Sequence, residues 1–365
     1  MATTAPNDDS SASAAPMPDE LSPRHLVRRL VALAVLVGLV AVAVGSLPGL
    51  GTLRSRFARA DVFFLVLIGL LKLASCLANV VAFRDVFCTR LSWRFSYQLG
   101  MAEQATNVLL PTGGAGGLAL GAWALRQGGM STEHIARRSV TFFVLTSLPN
   151  FACAAVLGPL LLTGVFSGHV PVLPTAIFSA LAWTMAAVIA ALPLLLRRID
   201  PDRSSGRIGR RLRSGAVLLG EGIHDTGVLL RSGRWQAIAG AIGYLGFDIA
   251  ALIAGFAAFG GGLPLAPLVF GYVIGQLGGL IPIPGGLGGI DGGLIGALVL
   301  YGSPLSQAAA AVLAYRAFQL GVPTVLGAIA FIRLRGTLNS STDPAGACAP
   351  LAEPLSVVPV TRFPA

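Results

Sequence analysis

Six runs of this chain are too apolar and too long for water: residues 30–53, 62–83, 139–165, 172–196, 236–259 and 308–332. Each approaches or exceeds the ~20 residues that an α-helix needs to cross about 30 Å of hydrocarbon. No water is available there, so each span must pair its own backbone donors and acceptors, as a helix does. Only 12% of the residues are charged and the mean hydropathy is +0.76, against about 25% charged residues in soluble domains. The chain therefore reads as an all-α polytopic membrane protein in the cell membrane.

The 26 basic residues outnumber the 16 acidic ones, for a net charge of +10. The arginines cluster between apolar runs, which fits anionic lipid headgroups and the positive-inside rule better than nucleic acid. Residues 1–23 are rich in Ser, Ala, Pro and acid and are expected to be a disordered tail. A membrane domain over 24–335 and a second disordered tail over 336–365 complete the division. The run at 30–53 follows too long a leader for an ordinary signal peptide and reads as an uncleaved first span, although small residues near Ala43–Ser46 resemble a cleavage site. In the basic loop 197–235, Ile208, Leu212, Ala216, Leu219 and Ile223 recur at helical spacing opposite Arg210, Arg211 and Arg213. That pattern predicts an amphipathic helix on the membrane surface, with a solvated linker as the alternative. Cys76, Cys88, Cys153 and Cys348 show no paired spacing and the four histidines are scattered. We expect neither a disulfide nor a metal site nor a cofactor.

Two segments break the apolar pattern in the same way. Residues 280–316 hold Pro282, Pro284, a Gly285-Gly286-Leu287-Gly288-Gly289 run, Asp291 and Arg316; residues 107–138 hold Pro111 and Gly113-Gly114-Ala115-Gly116-Gly117. Pro removes a backbone donor and Gly weakens a helix, so neither is a good continuous span. After each run come a short apolar helix, a glycine turn and a Ser (Ser131, Ser303) suited to cap the next helix. The arms at 95–110 and 267–281 reach only ~22–24 Å at 1.5 Å per residue, and the return arms at 118–127 and 290–301 only ~15–18 Å. Each pair is expected to be a re-entrant hairpin with its Gly/Pro tip near mid-membrane, beside about six full spans. Arginine clusters place both termini in the cytoplasm, the first hairpin entering from inside and the second from outside. Arg54, Arg56 and Arg59 are the exceptions. Opposed broken helices meeting at the midplane form a recurring transporter architecture; glycine-rich packing seams without transport are the plainer reading.

Five ionisable residues fall inside apolar runs: Lys72, Glu103, Asp248, Asp291 and Arg316. Each costs ~2.5–3.5 kcal/mol at a helix centre on insertion scales and needs an interior partner. Asp291 and Arg316 are the expected pair, serving either a substrate or only helix packing. Glu103 lies one turn before Asn107 and the first tip, as an acceptor or proton site. Lys72 has a stem long enough to snorkel, and Asp248 needs no more than a neighbouring hydroxyl. Two membrane aspartates also suggest an aspartyl dyad. Intramembrane aspartyl proteases place Gly before one Asp, whereas Phe247 and Ile290 stand there in this chain. We therefore expect no enzyme.

The run IPIPGGLGGIDGGLIGALVLYGSPLSQAAAAVLAYR resembles the C-terminal signature of the lysylphosphatidylglycerol synthase transmembrane (flippase-like) family. NVLLPTGGAGGLALGAWALRQGG resembles that family's first-half motif, and the likeness spans roughly residues 25–335. It implies a lipid-translocating membrane domain in which Pro284, Gly285, Gly286, Gly288, Asp291, Tyr315 and Arg316 occupy the matching positions. Glu103, Asn107, Pro111, Gly113 and Gly114 complete the candidate translocation set. The family more often carries Glu at the Asp291 position, and Gly116-Gly117-Leu118 replaces its acidic Gly-Glu. A different headgroup or job is therefore open. We expect no soluble aminoacyl-transferase after the membrane domain, and so no lysylphosphatidylglycerol synthesis by this chain alone. The resulting expectation is a flippase for a phospholipid or lipid-linked headgroup, with a non-transporting scaffold for a lipid-modifying enzyme or glycosyltransferase as the alternative.

Overall fold

The computed structural model describes residues 51–110, 115–166, 170–196, 207–277 and 288–340, with 28, 31 and 348. Among them every regular element is helical: α1 (Gly51–Ala58), α2 (Val62–Phe87), α3 (Trp93–Leu109), α4 (Ala115–Gln127), α5 (Thr132–Leu162), α6 (Val172–Leu196), α7 (Arg207–Arg231), α8 (Trp235–Ala258), α9 (Leu265–Gln276), α10 (Gly289–Leu300) and α11 (Leu305–Ser340). Five of these, α2, α5, α6, α8 and α11, are long and apolar enough to cross a membrane. The chain is thus a multi-pass membrane protein. The expected span at 30–53 lies outside the described residues apart from 31 and 51–53, and so does the first tail, 1–23. Of the second tail, 336–365, residues 336–340 continue α11 as helix rather than disorder, and Cys348 is the one other described residue.

Helix boundaries follow local chemistry. Asp61 accepts the Phe63 N–H (2.9 Å), Ser92 the Phe95 N–H (3.2 Å) and Ser131 the His134 N–H (3.4 Å), each satisfying an orphan donor at a helix start. Ser303 does not cap α11. Its hydroxyl donates to the Pro304 carbonyl, while that carbonyl accepts the Gln307 and Ala308 N–H groups. Proline at this boundary supplies a fixed φ and leaves the serine one residue too early.

The scaffold is α2 packed along α8, with α11 against both. Gly240 lets α2 and α8 touch: a Cβ there would sit 2.7 Å from the Ala78 carbonyl oxygen. Small residues take over this packing because lipid supplies no hydrophobic force between helices. One end of the scaffold holds the antiparallel pair α3/α4, where Phe83, Phe87, Phe95, Leu99, Leu120, Leu125, Ala237 and Phe331 form one core. The other end holds the antiparallel pair α9/α10, where Ile68, Leu252, Phe256, Leu268, Leu294 and Val312 form a second. At 17, 13, 12 and 12 residues, these four helices reach only ~18–26 Å. The α3/α4 end carries Arg84, Arg90, Arg94, Arg234, Arg333 and Arg335; the turns at 260–264 and 301–304 carry no charge.

Helix α7 (Arg207–Arg231) forms where an amphipathic helix was expected and packs on α5 and α6. Gly222, Asp225, Thr226 and Leu229 are buried, whereas Leu219 is 47% exposed. Gly222 admits the Val140 side chain, and Asp225 takes the Arg137 guanidinium in a two-point pair. A small-residue and ionic seam, not an apolar stripe, docks this helix. One expectation is corrected: a Cys88–Cys348 disulfide closes over 260 residues where none was expected. Spacing could not reveal it, because α11 first has to carry the C-terminal tail back to the end of α2.

Candidate functional site

The second short pair carries the charge that sequence singled out. Gly288 adopts φ +85°, a left-handed conformation natural to glycine, and turns the chain into α10. One turn later Asp291 reaches back to accept the Gly288 N–H (2.9 Å). Its other oxygen accepts from Arg316 Nε at 2.6 Å, and Arg316 Nη1 donates to Gln319 Oε1 at 2.6 Å. Asp291 therefore holds both the start of α10 and the guanidinium of α11. The Arg316 side chain is 5% exposed and that of Asp291 16%, so the pair is largely buried and the carboxylate is its more exposed member. Pro323, one turn beyond Gln319, removes the N–H that would bond the Gln319 carbonyl. The arrangement offers an anion-binding guanidinium beside irregular backbone.

A second polar group lies behind it. Lys72 on α2 donates to Asp248 Oδ1 on α8 at 2.7 Å, and both residues are 3% exposed. Tyr272 on α9 donates to Asp248 Oδ2 and shares a hydroxyl contact with Tyr315 on α11, each at 3.3 Å. Lys72 also lies 5.6 Å from the Tyr244 ring centroid, within cation–π range. Lys72 thus does not snorkel. Twenty-six residues of α2 keep it far from either end, and the Asp248 carboxylate is at hand. Asp248 does meet a hydroxyl, as expected, but its main partner is the ammonium. Asp248 and Asp291 are held by different cations and do not form a like-charge pair.

The first short pair is built differently. Asn107 Oδ1 accepts the Gly117 N–H at 2.7 Å, tying the end of α3 to the start of α4. The Glu103 carboxylate rests on Gly121, where a Cβ would collide with it. On the other side, Met101 and Ala105 lie against Gly327 of α11. Pro111, Gly113, Gly114, Pro284, Gly285 and Gly286, the remaining candidate residues, lie outside the described residues. Tyr315 is in place, buried and facing Tyr272 rather than Asp291. Sequence reasoning missed Tyr272, Gln319 and Tyr244. An amide three residues after Arg316, on the same helix face, was the one signal that could have been read. Among the described residues, no group of three or more His, Cys, Asp or Glu converges to hold a metal.

The sequence profile of the family described as "Lysylphosphatidylglycerol synthase TM region" matches residues 29–327. No curated protein matches the chain.

Proposed function

The chain belongs to the lysylphosphatidylglycerol synthase TM-region family, a membrane and lipid-related family, and we propose that it moves the polar headgroup of a phospholipid across the bilayer. The single observation that carries this reading is Arg316, a nearly buried guanidinium on a membrane-spanning helix, held by Asp291 at the start of a helix too short to span. Arginine binds phosphate through parallel N–H donors, the same geometry it offers a carboxylate. A headgroup phosphate arriving at Nε replaces Asp291 and frees α10 from α11. The phosphate leaves when the carboxylate returns. Acyl chains remain in lipid throughout, so only the headgroup needs a polar path.

In this reading the two short pairs are re-entrant, enter from opposite sides and meet near Arg316. The arginine-rich α3/α4 end faces the cytoplasm, together with both termini. Support comes from pair length, from their places at opposite ends of the α2/α8/α11 scaffold and from the arginine distribution. The test is leaflet sidedness of fluorophore-labelled phosphatidylglycerol in vesicles containing the purified protein. Wild type should expose inner-leaflet label to an impermeant quencher, while Arg316→Ala and Asp291→Asn should lower the rate at least tenfold. Equal rates in all three proteins remove Arg316 from the path. Label movement no faster than in empty vesicles, with an enzyme partner recovered stoichiometrically, favours a scaffold.

A further inference from the structure

The Lys72–Asp248 pair does no work in headgroup binding, yet the hydrocarbon interior makes it expensive. A pair kept only to brace two helices is poorly suited to that task, because apolar replacement of buried ion pairs is often neutral or stabilising. Its surroundings give it another role. Lys72 and Asp248 stand on α2 and α8, the two scaffold helices in most extensive contact. The remaining Asp248 oxygen is held by Tyr272, which belongs to α9, a 12-residue arm too short to span. Tyr272 also shares a hydroxyl contact with Tyr315, the neighbour of Arg316. One carboxylate is therefore shared between the scaffold and the element that must move for α10 to release Arg316.

The geometry points to Asp248 as a proton site that couples movement of the α9/α10 pair to a transmembrane proton gradient, a role that rests on the translocation reading above. The facing groups are Lys72 and Cys76 from α2, Tyr244 from α8, Tyr272 from α9 and Tyr315 followed by Arg316 from α11. From α3 the Gln104 amide donates to the Cys76 carbonyl (3.3 Å), and from α5 Cys153 packs at the edge of the same core. With Tyr272 in place the site is buried, and the ammonium and carboxylate charges sum to zero. When α9 withdraws, Asp248 Oδ2 loses its hydrogen-bond donor and meets water. It takes a proton from a hydronium ion, forming one O–H bond and releasing one water. Reclosing on Lys72 as the cation and a neutral Asp248 would bury a net positive charge, which hydrocarbon opposes. The proton must therefore pass to water on the other side before the pair re-forms. One proton enters and one leaves per cycle, with no change of oxidation state.

The test uses the full chain in vesicles carrying labelled phosphatidylglycerol and an entrapped pH dye, with and without an imposed gradient. If one proton moves per lipid, a gradient of about one pH unit biases the steady-state leaflet ratio about tenfold. The double variant Lys72→Met with Asp248→Leu should still move lipid but reach the same ratio with or without the gradient. Tyr272→Phe, which removes one hydroxyl oxygen, should do the same and carries the test if the double variant fails to fold. A wild-type ratio indifferent to the gradient overturns the coupling and leaves translocation standing. A bias retained in both variants removes this pair from the role. No lipid movement in wild type under either condition overturns the translocation reading and the coupling with it.

Discussion

Asp291→Ala should destabilise the protein more than Arg316→Met, although each removes three heavy atoms net. The carboxylate does two things: it neutralises a guanidinium whose side chain is 5% exposed, and it accepts the Gly288 N–H. Removing it takes the carboxylate in contact with Arg316 from a buried guanidinium that also meets the neutral Gln319 amide, and breaking a buried pair from one side costs about 3–5 kcal/mol. Loss of the helix-start acceptor adds about 1 kcal/mol. Arg316→Met leaves Asp291 16% exposed, partly hydrated and still bonded to Gly288. Its cost should fall to about 1.5–3 kcal/mol, that of a lost charged hydrogen bond. The double variant should cost little more than Arg316→Met plus the cap, giving a coupling of at least about 2 kcal/mol. Asp291→Asn keeps an acceptor for Gly288 and separates the cap from the charge. Reversible unfolding of the purified protein in mixed micelles reads all four. Additive single costs, or Asp291→Ala below about 1 kcal/mol, would falsify the claim that this pair is buried and mutually dependent.

Three further outcomes follow from the same geometry. Gly275→Ala places a Cβ 2.6 Å from the Leu294 Cα, forcing α9 and α10 apart at a cost of about 1–3 kcal/mol; Gly292→Ala on exposed α10, with nothing within 4 Å, should gain up to about 1 kcal/mol. Differential scanning of both proteins decides it, and equal melting temperatures contradict the close packing. Asp225→Ala leaves Arg137 without its two-point partner, and proteolysis within residues 207–231 should accelerate while the rest of the chain stays resistant. In the proposed orientation the Cys88–Cys348 disulfide lies on the cytoplasmic side. After a permeant reductant opens it, a membrane-impermeant maleimide added to intact cells should spare both thiols, and disruption of the membrane should expose them. Labelling from outside would reverse the orientation.

The spans and short arms were legible because hydrocarbon admits few alternatives and because Gly, Pro and Ser mark the helix ends. Asp291 and Arg316 could be paired in advance, since they are 25 residues apart in a stretch where nothing else was charged. Lys72 and Asp248 could not, with 176 residues between them and two independent ways for each to be satisfied. Tyr272 was hidden for another reason: in an apolar run a tyrosine is indistinguishable from a core aromatic until its hydroxyl finds a partner. The docking seam of α7 was hidden because Gly222, Asp225 and Thr226 make it, whereas the hydrophobic pattern counts only large apolar side chains. Cys88 and Cys348 meet through the fold of α11 alone, and no local rule encodes that return.

The central claim is that two short helix pairs enter the bilayer from opposite sides and converge on Arg316. It is tested most directly by cysteines placed at their exposed rims, Thr132→Cys beside the first pair and Leu305→Cys beside the second, in a background with the native cysteines replaced. An impermeant maleimide on intact cells should label position 305 and reach position 132 only after permeabilisation. Labelling of both positions from the same side would contradict the opposed arrangement and the translocation path built on it.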